Sequence, residues 1–127
     1  MTVDLALPKH AESHIWPIQM TPKKWVLNVP ANPDSLSLER TIEKLLLLSR
    51  HRRPNTFVIN FSDTLLLDQM IITSIQKLLN TFEVLGAKSA VSGISPNLSA
   101  SLTLLDYSFS GTVVCKSFED EALNSSN

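Results

Sequence analysis

Residues 56 to 93 read TFVINFSDTLLLDQMIITSIQKLLNTFEVLGAKSAVSG. The stretch is a short β-forming run, a loop, a long run with helical apolar spacing, a glycine, and a second short β-forming run. Two strands joined through a helix of this length pair in parallel, and the crossover between them is right-handed. Phe57, Val58, Ile59 and Phe61 supply the first strand, interrupted by Asn60, with the apolar character of a strand covered on both faces. In the helical run Ile71, Ile75, Leu78, Phe82 and Leu85 share one stripe, widened by Ile72 and Leu79. Gln69, Thr73, Gln76, Lys77, Asn80 and Glu83 are left to face solvent. Gly86 is expected to end this helix with a positive φ, and residues 88 to 94 form the next strand.

Asp68 stands where the loop ends and the helical spacing begins. Its carboxylate is placed to accept hydrogen bonds from the unpaired amides of the first turn. Gln69 then sits at the positive end of the helix, where anions are favoured. Function is expected to concentrate there.

The flanking chain extends the same alternation. Residues 15 to 21 and 25 to 30 are two β-rich runs separated by Pro22, Lys23 and Lys24, which predicts a hairpin. Pro17 confines the first run to a sheet edge. Asp34 or Ser35 caps an amphipathic helix whose inward face carries Leu38, Thr41, Ile42, Leu45, Leu46, Leu48 and Ser49. The helix ends at Arg50, His51, Arg52, Arg53 and Pro54, where cations complement the negative end and proline stops propagation. That basic cluster reads as a solvated helix terminus, because no glycine-rich loop or aromatic accompanies it. Ser95 and Pro96 open a third helix with Leu98, Leu102 and Leu105 inward and Leu104 beside them. Residues 112 to 115 form a last strand, and residues 118 to 123 a terminal helical stub behind Ser117. The order is ββαβαβαβα in an α/β domain with a mixed, mostly parallel sheet. Residues 1 to 13 are expected to be a flexible arm and residues 14 to 124 the domain.

Composition excludes several function classes. The 127 residues are one domain's worth. A net charge of -1 provides no general attraction for nucleic acid or an anionic membrane. The single cysteine, Cys115, lies in an apolar run and reads as a buried structural thiol, suited to a reducing compartment. No apolar run approaches the ~20 residues needed to span a bilayer, so a cytoplasmic location is expected. His10, His14 and His51 have no partners at metal-ligand spacing, and no metal or cofactor is expected. The chain has three glycines and lacks a P-loop, a dinucleotide-binding fingerprint and a nucleophile elbow. Asp63 and Asp68 are a possible carboxylate pair, but no histidine or lysine lies near them in sequence, so Asp68 reads as a cap and no enzyme activity is expected.

These residues carry a family resemblance. Val58-Ile59-Asn60-Phe61-Ser62, Leu67-Asp68-Gln69, Leu85-Gly86-Ala87-Lys88, Gly93-Ile94-Ser95-Pro96 and residues 118 to 123 resemble the STAS domain, the sulfate transporter and anti-sigma factor antagonist family. The Gly-Ala and Gly-Ile-x-Pro segments are similar to the stressosome scaffold branch of the RsbS and RsbR type. The resemblance implies a non-enzymatic regulatory domain that binds a serine/threonine kinase or an anti-sigma factor, and STAS paralogues, in homo- or hetero-oligomers. The implied partner surface is Asn60, Ser62, Asp63, Asp68, Gln69, Met70 and Thr73. In such domains a serine or threonine directly after the aspartate is phosphorylated; here that position is Gln69, and a strand-end aspartate is matched by Asn60. A second phosphosite of the scaffold branch falls on or beside Ser101, with Ser99 and Thr103 as neighbours. The alternative reading is an accessory subunit of a lipid or anion transport system, and a third is a nucleotide-binding domain. The edge run at residues 15 to 21, with Trp16 or Trp25 exposed beside it, is expected to support self-association.

Overall fold

The computed structural model describes residues 15 to 105 and the backbone of residues 113 to 115. The elements are β1 (Ile18–Met20), β2 (Lys24–Asn28), α1 (Ser35–Ser49), β3 (Thr56–Asn60), α2 (Gln69–Val84), β4 (Lys88–Ser92), α3 (Pro96–Leu104) and β5 (Val113–Cys115). The five strands form one sheet in the order β1-β2-β3-β4-β5. β1 pairs antiparallel with β2, and every later pair is parallel. The expected hairpin, βαβ alternation and mostly parallel sheet are therefore present. The arm expected at residues 1 to 13, the terminal helix at residues 118 to 123 and the burial of Cys115 lie outside the described residues.

Each helix starts where its cap predicts. Asp34 accepts from Ser37 N at 3.0 Å, Asp68 from Ile71 N at 2.8 Å, and Ser95 from Leu98 N at 3.1 Å. Each bond satisfies one of the amides that a helix start leaves open. α2 ends before Gly86, whose φ is +101°, and β4 ends at Ser92, just before Gly93, whose φ is +75°. The second glycine is why the strand stops two residues short of the expected residue 94.

One face of the sheet meets the helices. Trp25, Leu27, Phe57, Ile59 and Val91 join Leu38 and Leu45 of α1, the α2 stripe, and Leu98 and Leu102 of α3 in a single buried cluster. At its centre Phe82 stacks on Phe57, with centroids 4.2 Å apart, and meets the edge of Trp25 at 5.7 Å. Residues one step along each strand point the other way, and Val26, Val58 and Ala90 form a second buried cluster. They are direct neighbours in register, as the period-2 alternation of strands demands.

Three expectations about exposure are corrected. Trp16 and Trp25 are 3% and 0% exposed, so neither offers a surface contact. Trp25 points inward from β2 onto Phe82, and Trp16 is held beside α1, its backbone amide donating to Thr41 Oγ1 at 2.9 Å. Leu46 is 39% exposed because the stripe through Leu38, Thr41 and Leu45 already fills the contact with the sheet. Leu104 and Leu105 are also exposed, since α3 spans only about two and a half turns and buries Leu98 and Leu102 alone.

Candidate partner-binding surface

The carboxyl ends of β2, β3 and β4 carry a polar row. Asn28, Asn60 and Ser92 are register partners, and Asn60 is the hub. Its Nδ2 donates to Asn28 Oδ1 at 2.9 Å. Its Oδ1 accepts from Ser62 N at 3.2 Å, Ser62 Oγ at 2.7 Å and Ser92 Oγ at 3.4 Å. A side chain with a donor and an acceptor at fixed positions suits this role, and asparagine supplies both.

From this hub the chain enters the β3–α2 loop. Phe61 turns inward and is buried, its amide donating to Ser92 O at 2.8 Å. Thr64 is buried, its hydroxyl donating to Val29 O at 3.0 Å, and Leu65 N donates to Ala31 O at 3.0 Å. The loop is thus pinned to the connection that follows β2. Leu67 is 7% exposed and anchors the start of α2, whereas Leu65, Leu66 and Met70 are 65%, 58% and 69% exposed. Three large apolar side chains are thus exposed within six residues of loop and helix start.

The helix start behind it is polar. The Asp68 carboxylate accepts from Ile71 N at 2.8 Å, and its backbone carbonyl accepts from Ile72 N at 3.0 Å. Gln69 is the first helical residue and is exposed. The Thr73 hydroxyl donates back to Gln69 O at 2.9 Å, so it is engaged within the helix, although exposed. Ser62 and Asp63 are exposed on the loop. Asn60 and Ser62 are in direct contact, and Asp68, Gln69, Met70 and Thr73 gather in the first turns of α2. Ser101 is half-buried in α3 and its hydroxyl donates within the helix to Asn97 O at 3.2 Å.

The sequence reading left out Leu65, Leu66, Asn28, Ser92 and Gly93. The two leucines stand in the run Leu65-Leu66-Leu67, whose composition gives no sign that only the third is buried. Gly93 was legible as part of a motif, yet its closeness to Asn60 depends on the strand register. Among the described residues no group of three or more His, Cys, Asp or Glu side chains is placed to hold a metal ion, and no helix is long and apolar enough to cross a membrane.

No protein-family model and no curated protein matches the chain. Solved structures do. An RsbS variant from Moorella thermoacetica superposes with a TM-score of 0.71 at 20% identity, over 86% of this chain and 92% of that one. The anti-sigma factor antagonist SpoIIAA in its unphosphorylated form gives 0.64 at 16% identity, over 87% and 96%. A sulfate transporter family protein from Wolinella succinogenes gives 0.64 at 13% identity, over 85% and 89%. Strand order, helix placement and these near-complete superpositions agree with the motif resemblance: the chain has the STAS-domain fold.

Proposed function

We propose that this chain is a non-enzymatic regulatory domain that binds a serine/threonine kinase or an anti-sigma factor through the β3–α2 loop and the first turn of α2. The observation that carries the reading is the pairing of an Asp68-capped helix start with exposed Leu65, Leu66 and Met70. Apolar side chains held out by a pinned loop contribute to binding when a partner covers them, and the polar helix start beside them provides orientation. The fold shared with SpoIIAA and RsbS supports this class of partner, and the site includes Asn60, Ser62, Asp63 and Thr73 around it. In a partner-switching system such a domain is cytoplasmic and works in assemblies with paralogues. Phosphorylation, where it occurs, falls away from Gln69, with Ser101 the first candidate.

The interface is tested by titrating the purified chain with serine/threonine kinases and anti-sigma factors encoded in the same genome, using calorimetry. Leu66→Asp and Met70→Asp should leave the thermal midpoint within about 2 °C, as exposed substitutions do, and weaken binding at least ~10-fold, the loss of one central apolar contact. Unchanged affinity in both variants would move the interface elsewhere. The likeness to a sulfate transporter family protein supports the second reading, an accessory subunit of a transport system. Co-purification with a permease from detergent-solubilised membranes, and with no kinase, would favour it.

A further inference from the structure

Gly93 does more than end β4. A Cβ built on it would stand 2.7 Å from Asn60 Oδ1 and 2.7 Å from Ser62 N, and closer still to Ser62 Oγ. Such separations are shorter than real Cβ contacts, and one of the crowded atoms is backbone, which no rotamer change can move. The two side chains are not free to swing away at no loss either. Asn60 Oδ1 already receives three hydrogen bonds, two of them from Ser62, and its Nδ2 is fixed on Asn28. The absence of a side chain at residue 93 is therefore what lets the β4–α3 turn and the β3–α2 loop lie against each other. Two residues after Gly93, Ser95 caps α3 through Leu98 N, so the start of α3 is attached directly to this contact.

We infer that Gly93 is a positioning residue for the partner-facing loop: the two turns form one unit through Gly93, Asn60 and Ser62, and a change at the start of α3 reaches the loop that presents Leu65, Leu66 and Met70. The functional consequence rests on the reading of that loop as the partner surface. The mechanical coupling does not, and it is measured without any partner.

The experiment compares the full chain with Gly93→Ala, Gly86→Ala and Ser62→Ala by amide hydrogen exchange and two-dimensional NMR. Gly86 also has positive φ, but nothing lies within 4 Å of the position its Cβ would take, so Gly86→Ala reproduces the backbone strain without the crowding. Gly93→Ala should accelerate exchange of the bonded amides of Ser62, Thr64, Leu65, Ile71 and Ile72 by about tenfold, as expected when one or two bonds of the network are lost. Gly86→Ala should leave those amides at parental rates. Ser62→Ala, which alters neither turn's backbone, should shift the resonances of Gly93, Ser95 and Leu98. Parental exchange in the loop of Gly93→Ala, equal acceleration in Gly86→Ala, or unmoved resonances at residues 93 to 98 in Ser62→Ala would each overturn the inference. Should Gly93→Ala not fold, the Ser62→Ala arm decides. If the coupling appears but Leu66→Asp and Met70→Asp bind every partner normally, the partner reading fails while the coupling stands.

Discussion

Gln69 occupies the position where the family resemblance places a phosphorylated hydroxyl, and its chemistry decides what the site can do. It has no hydroxyl, so a kinase has no acceptor there, and its amide both donates and accepts hydrogen bonds at the helix start. A phosphoserine would bring about -1.5 to -2 charges to the same point; glutamine brings none. The expected outcome is a permanent, unphosphorylated-like face. Against the kinase or scaffold that binds the parent, Gln69→Ser should therefore bind much like the parent, and Gln69→Glu, with its charge at the helix end, should differ. If Gln69→Glu matches the parent while Gln69→Ser departs sharply, glutamine instead mimics the phosphorylated state. Asn60 fits the same picture, since its amide is engaged on both sides by Asn28, Ser62 and Ser92.

α2 links this site to the core. Its outward positions at the start carry the candidate surface, and its inward stripe, from Ile71 to Phe82, is fully or nearly fully buried. Phe82 is 0% exposed and contacts both Phe57 and Trp25. Phe82→Ala should cost about 3–5 kcal/mol, the range for truncating a buried aromatic. Gln76→Ala removes a half-buried helix-surface side chain, with its bond to Asn80 at 2.9 Å among its contacts, and should cost ~0.5 kcal/mol for that pair, far less than the loss of Phe82. Chemical denaturation of both variants checks the contrast; a midpoint that barely moves for Phe82→Ala would mean that the core does not depend on this stack.

At the scale of the sheet, the β1-β2-β3-β4-β5 order leaves β1 at an edge among the described residues. β1 has three residues, none of them charged, and Gln19 and Met20 are exposed. An edge strand without charged side chains can pair with another strand, and a second copy or a paralogue supplies one. Self-association is the expected outcome, now resting on the edge alone because both tryptophans are buried. Sedimentation should show dimers or larger species, and Met20→Lys, which adds a charge at the edge, should shift them towards monomer. A parent chain that sediments only as monomer would count against this assembly.

What the sequence determined by itself is what neighbouring residues decide among themselves. Asp34, Asp68 and Ser95 cap helices by bonding amides three residues on, Gly86 ends α2 through its own φ, and apolar periodicity separates helix from strand. These are interactions within one or two turns, so the order of elements and the place of Gln69 at a helix start were legible. Tertiary structure decided the rest. Whether Trp25 is covered depends on α2 lying above β2, and whether Leu65 and Leu66 remain outside depends on Thr64 being tied to Val29, 35 residues earlier. The Asn60 hub exists because register sets Asn28 and Ser92 beside it, each 32 residues away. Contacts between residues so distant in the chain arise only once the sheet has aligned its strands, and no local pattern encodes them.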